Sequence, residues 1–319
     1  MKNKYAKFNE YWDKYSTLFI LALMTLMFGL LEPAAFFTGS NLIKITEQSS
    51  ITILLACGEF FAILLAGIDL SVGSTMAFTG VCAATLMNLG LDPWLAILLG
   101  IFVAGGLIGF LNGALISITD LPPFIITLGT MSIIRGLTMV VSGARTVSGL
   151  PVTVSGTIGG KLFDILPVPM LIALAVGLIL LFFTRKTQAG RNLYAIGGSP
   201  DAAWFAGIHV KKHTMLAFTI TGICAGVAGL VNISRLGAAE PSAGTGYETY
   251  AIAAVIIGGT SFFGGQGAIL KVVLGGLVIG LINNGLNMVG LSSYFQQIAM
   301  GALIIIAVTL DRFFGVKNK

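Results

Sequence analysis

Only 18 of the 319 residues are Lys or Arg and 13 are Asp or Glu, so charge makes up 10% of the chain where soluble domains carry about 25%, while the AVILMFWYC set makes up 56%. A soluble globule of this composition would expose large apolar patches. With mean hydropathy at +0.95, disorder, a coiled coil, a collagen-like repeat and nucleic-acid binding are excluded despite a net charge of +5, and an integral membrane protein remains. Cys57, Cys82 and Cys224 fall inside apolar runs without metal-ligand spacing and read as small membrane-buried hydrophobes.

A crossing helix needs about 17 to 25 mostly apolar residues, because only its own hydrogen bonds satisfy its backbone in hydrocarbon. In chain order the candidates are 16–31, 51–67, 74–91, 94–119, 124–141, 168–183, 215–234, 251–263, 268–289 and 298–310. The first, sixth, eighth and tenth are short and must extend, tilt or be partly re-entrant. This predicts an all-α polytopic protein of about ten transmembrane helices, with 1–319 forming a single membrane domain. Glu32-Pro33 follows the first apolar run without a small-x-small site before it, which argues against a cleaved signal peptide. With the N-terminus inside, 13 Lys and Arg fall on inner segments and four (Lys44, Arg145, Lys161 and Arg235) on outer ones. That bias places both termini in the cytoplasm and requires an even number of crossings.

The first break in the apolar pattern, Gly67-Ile68-Asp69-Leu70-Ser71-Val72-Gly73-Ser74, puts Asp69 at membrane depth, where a carboxylate is costly. Asp69 or Ser71 is expected to cap the third span while Gly67 and Gly73 permit the turn; alternatively the unwound segment lines the solute pathway. Glu59 and Arg135 are the other intramembrane charges and are expected to neutralise each other or Asp69, or else to meet solute. Gly109/Gly113 and Gly276/Gly280 have the small-xxx-small spacing of close helix contact. A weak internal echo relates 64–74 to 255–265, each an apolar run ending in a Gly-rich break, as in transporters built from repeats. Asn283, Asn284 and Asn287 share a polar stripe suited to neutral polyols, or to hydrogen bonds between helices.

The inner loop, 184–214, contains a short helix specified locally: Ser199 as N-cap, Pro200 at its first position, Asp201 complementing the dipole and Gly207 ending it in a left-handed turn. Its body, Asp201-Ala202-Ala203-Trp204-Phe205-Ala206, is too short to be stable alone and wants a docking partner, either a groove in a cytoplasmic protein or the lipid headgroups. His209 and His213 stand at i, i+4 spacing but lack a third ligand, and no metal site is expected. Gly264 to Lys271 lacks the Gly-Lys-Ser/Thr ending of a phosphate loop, and no other enzyme motif occurs, so neither a cofactor nor an ATPase site is expected.

Four stretches together carry a resemblance over nearly the whole length: Gly67 to Ser74; Pro122 to Val140; Ala189 to Ile208; and Gly244 to Gly267 running on to Gln296. On these the chain resembles the permease subunits of bacterial ABC importers for monosaccharides, the ribose-transporter type. The resemblance implies a homodimer in the cytoplasmic membrane that moves a pentose or hexose by alternating access. A periplasmic or extracellular binding protein would deliver the sugar, and a separate cytoplasmic ATP-binding subunit would supply energy. It also implies that Ala189 to Ile208 holds the coupling element, with Arg191, Gly197, Gly198, Ser199, Asp201, Ala202, Ala203 and Gly207 as candidate contacts. Asp69, Ser71, Glu59, Arg135, Tyr247, Glu248, Asn283, Asn284 and Asn287 are the candidate pathway residues. Ser199 stands for a frequent Asn, while Glu59 and Tyr250 depart from the common pattern on the membrane path, which keeps hexoses such as allose or galactose open beside ribose. The competing reading is a proton-coupled secondary transporter using Asp69, Glu59 and Arg135.

Overall fold

The structure, a computed structural model, describes residues 2–310; the basic residues expected on the inner face at 312, 317 and 319 lie outside them. Helices follow one another almost without interruption: α1 (Lys2–Leu31), α2 (Pro33–Phe36), α3 (Gly39–Leu64), α4 (Val72–Asn88), α5 (Pro93–Leu98), α6 (Gly106–Thr119), α7 (Pro123–Ser142), α8 (Val152–Thr157), α9 (Val168–Lys186), α10 (Gln188–Gly198), α11 (Pro200–Phe205), α12 (Val210–Leu236), α13 (Tyr247–Ile257), α14 (Ile269–Met288) and α15 (Ser293–Leu310). A π-helical stretch, Leu99–Gly105, joins α5 to α6. Among the described residues, extended structure is confined to the hairpin Lys161–Leu162 with Leu166–Pro167 and a bridge between Val147 and Ala239. Each of the ten apolar segments overlaps a helix. Among the described residues, six helices are long and apolar enough to cross a membrane: Gly39–Leu64, Pro93–Thr119, Pro123–Ser142, Val168–Lys186, Val210–Leu236 and Ile269–Met288.

Apolar character on all sides decides which helix sits in the middle. The apolar window of α3 is 89% buried, with Ile53, Leu54, Phe60, Phe61, Ile63 and Leu64 wholly covered, and α9, α12, α13 and α14 pack around it. The corresponding window of α7 is 17% buried, and Phe124, Ile125, Leu128, Ile133 and Leu137 face outward, as a lipid-facing surface requires. Prolines stand where their missing N–H is harmless: Pro93 opens α5 behind Asp92, whose carboxylate accepts from Trp94 N and Leu95 N at 3.0 Å each, and Pro123 opens α7.

The spaced glycines are contact positions. A Cβ on Gly109 would lie 2.2 Å from Phe218 O and one on Gly113 2.6 Å from Met215 Cα, which sets how closely α6 crosses α12; Gly276 and Gly280 serve α14 in the same way against Ile53 and Ser49 of α3.

The eighth apolar segment is shorter than expected. α13 ends at Ile257 after 11 residues, and 258–268 forms a Gly-rich loop. At about 1.5 Å per residue α13 falls well short of a ~30 Å hydrocarbon core, so it is a half-helix ending in a break. The other break, 65–71, separates α3 from α4.

Candidate functional site

The break after α3 closes with a left-handed cap, formed at a different residue from the one the glycines suggest. Ala66 takes φ 56°, Gly67 N donates to Ala62 O at 2.9 Å and Ala66 N to Ile63 O at 2.8 Å, which satisfies two carbonyls at the helix end. Gly67 instead packs tightly, since a Cβ there would lie 3.1 Å from Pro123 Cγ.

The chain then turns inward, and a relay of buried polar groups begins. Glu59, wholly buried on α3, accepts from Asp69 N through Oε1 at 3.0 Å. Asp69 Oδ1 accepts from both Ser71 N at 2.9 Å and Ser71 Oγ at 2.5 Å. Asn112 Nδ2 of α6 donates to Ser71 Oγ at 3.0 Å, and Thr130 Oγ1 of α7 donates to Asn112 Oδ1 at 2.7 Å. Thr127 Oγ1 donates to Ile68 O at 3.0 Å and ties the break to α7 a second time. One hydrogen-bonded chain therefore joins α3, the break, α6 and α7.

Ser71 occupies the N-cap position of α4, but its hydroxyl makes no cap and Asp69 does not reach the first turn. Asp69 closes a local turn on the residue two positions ahead, a geometry short acidic side chains favour over capping when a nearer N–H is available. The expected cap at Asp69 or Ser71 is thus replaced by the relay.

Arg135 does not neutralise Glu59 or Asp69, and no ion pair joins them among the described residues. Its Nη1 donates to Pro241 O at 2.9 Å and Ala243 O at 2.8 Å, so it tethers the loop between α12 and α13. That loop is held at its other side by Glu240, which accepts from Thr146 Oγ1 at 2.6 Å and Ser242 Oγ at 2.9 Å. Pinned at both places, it carries Gly244 into backbone contact with Gly73. A Cβ on Gly73 would lie 2.3 Å from Gly244 O and 2.8 Å from Glu248 Oε2, and one on Gly244 2.5 Å from Gly73 O. Tyr247 and Glu248 follow in the first turn of α13, with the Tyr247 and Tyr250 rings 5.6 Å apart. Gly73→Ala is expected to cost about 1–3 kcal/mol by overpacking. Gly129→Ala, where nothing lies within 4 Å, is the control. Thermal unfolding in detergent reads the difference, and equal midpoints would mean that the crossing is loose.

Glu59, Asp69 and Ser71 are thus brought together, with Glu248 close by at Gly73, whereas the asparagines of α14 are not part of this network. Asn284 Nδ2 donates to Asn41 Oδ1 at 3.0 Å, and Asn287 accepts from Gln296 Nε2 at 2.6 Å. They face different neighbours, so the single stripe divides and Asn284 and Asn287 join helices. Asn112 and Thr130 were missed by sequence reasoning, although each is a polar residue inside an apolar run, the same signal that singled out Asp69.

At the inner loop the local prediction holds in detail. Ser199 Oγ accepts from Ala202 N at 3.2 Å, and Gly207, at φ +81°, closes α11 with Gly207 N to Trp204 O at 2.9 Å and Ile208 N to Ala203 O at 3.0 Å. Ala203 is the buried side, 3% exposed, while Trp204 and Phe205 project at 64% and 80% with rings 5.0 Å apart. A cavity of about 400 Å³ opens at the C-terminal end of α11, lined among others by Gln188, Asn192, Gly207, Ile208 and His213. His213 is engaged through both ring nitrogens, by His209 O at 2.8 Å and Asn192 Nδ2 at 3.1 Å. Among the described residues no group of three His, Cys, Asp or Glu could hold a metal.

Comparison with known proteins agrees with this architecture. The family model described as "Branched-chain amino acid transport system / permease component" matches residues 41–308. The D-allose transport system permease protein AlsC of Escherichia coli K12 is 52% identical over 98% of this chain and 95% of its own length. The ribose import permease protein RbsC of Haemophilus influenzae is 36% identical over 100% and 99%, and the fructose import permease protein FrcC of Rhizobium meliloti 32% over 93% and 84%. No solved structure matches the chain. A bundle of apolar helices broken at two Gly-rich points, matched by that family over most of its length, makes this chain a multi-pass cytoplasmic-membrane protein that belongs to the permease-component family.

Proposed function

We propose that this chain forms the membrane pathway of an ATP-driven importer for a monosaccharide, a hexose of the allose type, working as a homodimer. The observation that carries the reading is the pairing of a polar relay at a helix break with a capped surface helix that presents two exposed aromatic side chains. Irregular backbone at membrane depth is tolerated where it lines a solute path, and an exposed aromatic pair is the usual anchor of an interface. The relatives' names, with D-allose at 52% identity beside ribose and fructose, supply the substrate class.

In this reading the relay and the flanking Tyr247 and Glu248 belong to the translocation core, and α11 seats in a groove of a cytoplasmic ATP-binding subunit. Arg191, Gly198, Asp201 and Ala202 flank the contact. A binding protein outside delivers the sugar and sets most of the specificity, so the permease itself holds sugar loosely. The test is reconstitution in liposomes with labelled D-allose. Uptake is expected only when the binding protein, the ATP-binding subunit and ATP are all present. Uptake by the chain alone under a proton gradient would instead establish a proton-coupled secondary transporter.

A further inference from the structure

Between α11 and the Glu59–Asp69 relay lies a place where three stretches of backbone meet without side chains between them. Gly265 N donates to Leu64 O at 2.9 Å, which binds the loop 258–268 to the end of α3. The last turn of α10 closes on the same point. A Cβ on Gly197 would lie 1.9 Å from Leu64 O and 2.5 Å from Gly265 N; one on Gly264 would lie 2.9 Å from Gly197 O and 3.0 Å from Ala66 N; and one on Gly265 would lie 2.7 Å from Gly198 N. Tyr194, one turn earlier on α10, donates its hydroxyl to Gly267 O at 3.0 Å, and its ring meets Phe60 edge-on at 6.3 Å. A Cβ on Gly267 would lie 2.8 Å from Phe60 Cε2, so Tyr194, Gly267 and Phe60 form a second contact beside the first. Phe60 adjoins Glu59 in sequence, and Leu64 is five residues before Asp69.

The two apolar runs with Gly-rich endings, 64–74 and 255–265, therefore converge on one helix, α10, whose C-terminus connects through Ser199 to α11. Flexible side chains absorb displacement by changing rotamer, but close-packed backbone does not, so a shift of α10 is passed to whatever it touches. Both breaks are touched.

We propose that Tyr194, Gly197, Gly264 and Gly265 form a rigid joint that carries movement of α11 to the Glu59–Asp69 segment, with Tyr194 and Gly197 as positioning residues for transport. The inference rests on α11 being the seat of the ATP-binding subunit. It assigns Gly197 to the packing of α10 against Leu64 and Gly265, in place of a direct contact with that subunit.

The test uses the full transporter, reconstituted with its ATP-binding subunit and binding protein, and measures sugar uptake and ATP hydrolysis in the same vesicles. Tyr194→Phe removes one hydroxyl and keeps the ring, so it folds where Gly197→Ala, with its Cβ against backbone, is at risk. Tyr194→Phe is expected to retain the ATP-binding subunit and its hydrolysis while uptake falls roughly fivefold, the population change that accompanies one lost neutral hydrogen bond, so that more ATP is consumed per sugar. A purely structural role would lower the amount of assembled transporter and leave that ratio alone. An unchanged ratio with the subunit bound would overturn the joint. Failure of the unaltered chain to retain the subunit would overturn the docking reading, and the joint with it.

Discussion

Replacing Trp204 and Phe205 together by alanine is expected to strip the ATP-binding subunit from the permease and abolish uptake, while the permease still inserts and folds. The two rings are 64% and 80% exposed, so little packing within the chain depends on them. Aromatic anchors of this kind cost about 2–4 kcal/mol each when truncated in a buried interface, and even one such loss weakens binding by roughly 30-fold or more. Ala203→Asp, which the sequence alone would suggest as the disruptive change, tests something else. Ala203 is 3% exposed, and a carboxylate there would be forced into the face that α11 turns toward the protein. The expected result is a damaged loop, visible as lowered thermal stability. Co-purification of the ATP-binding subunit and ATP-dependent uptake read the aromatic pair directly, and normal levels of both in the double variant would exclude α11 as the docking element.

The contrast between Ala203 and its neighbours marks where sequence reading stops. Features settled within a few residues were legible. The Ser199 cap, the left-handed Gly207 and the apolar windows of the long helices follow from local chemistry, and the structure has them. Features settled by partners far away in the chain were not. Arg135 looks like a counter-charge in the sequence, but the carbonyls that take its donors are 106 and 108 residues away. Asn284 pairs with Asn41 across 243 residues, and that divides a stripe that helical spacing alone makes continuous. At the break after α3 a local rule was overridden: glycine is the favoured left-handed residue, but Ala66 takes that conformation while Gly67 packs against Pro123. Gly197 repeats the lesson, since its place in a polar loop suggests an open position and its backbone packs against Leu64 and Gly265.

Asp69 tests the relay most severely. Its Oδ1 holds two donors from Ser71, and Ser71 in turn receives Asn112, so Asp69→Ala leaves the Ser71 N–H and hydroxyl without their acceptor in a site that is 1% exposed. An orphaned buried donor costs about 1–3 kcal/mol, and two would lower the population of the ordered segment by roughly 30- to 25,000-fold. Uptake is expected to disappear while the ATP-binding subunit, docked at α11, is retained. Wild-type uptake by Asp69→Ala would show that the relay has no part in transport. Asp69→Asn separates geometry from charge, because an amide oxygen at the position of Oδ1 still accepts both bonds. An ATP-driven permease that uses Asp69 to shape the break should keep uptake within about tenfold, since only charge assistance to two hydrogen bonds is lost. A carrier that moves protons through the same carboxylate should lose gradient-driven uptake entirely, since an amide does not titrate. The two variants measured side by side therefore report both whether the break shapes the pathway and which energy source drives it.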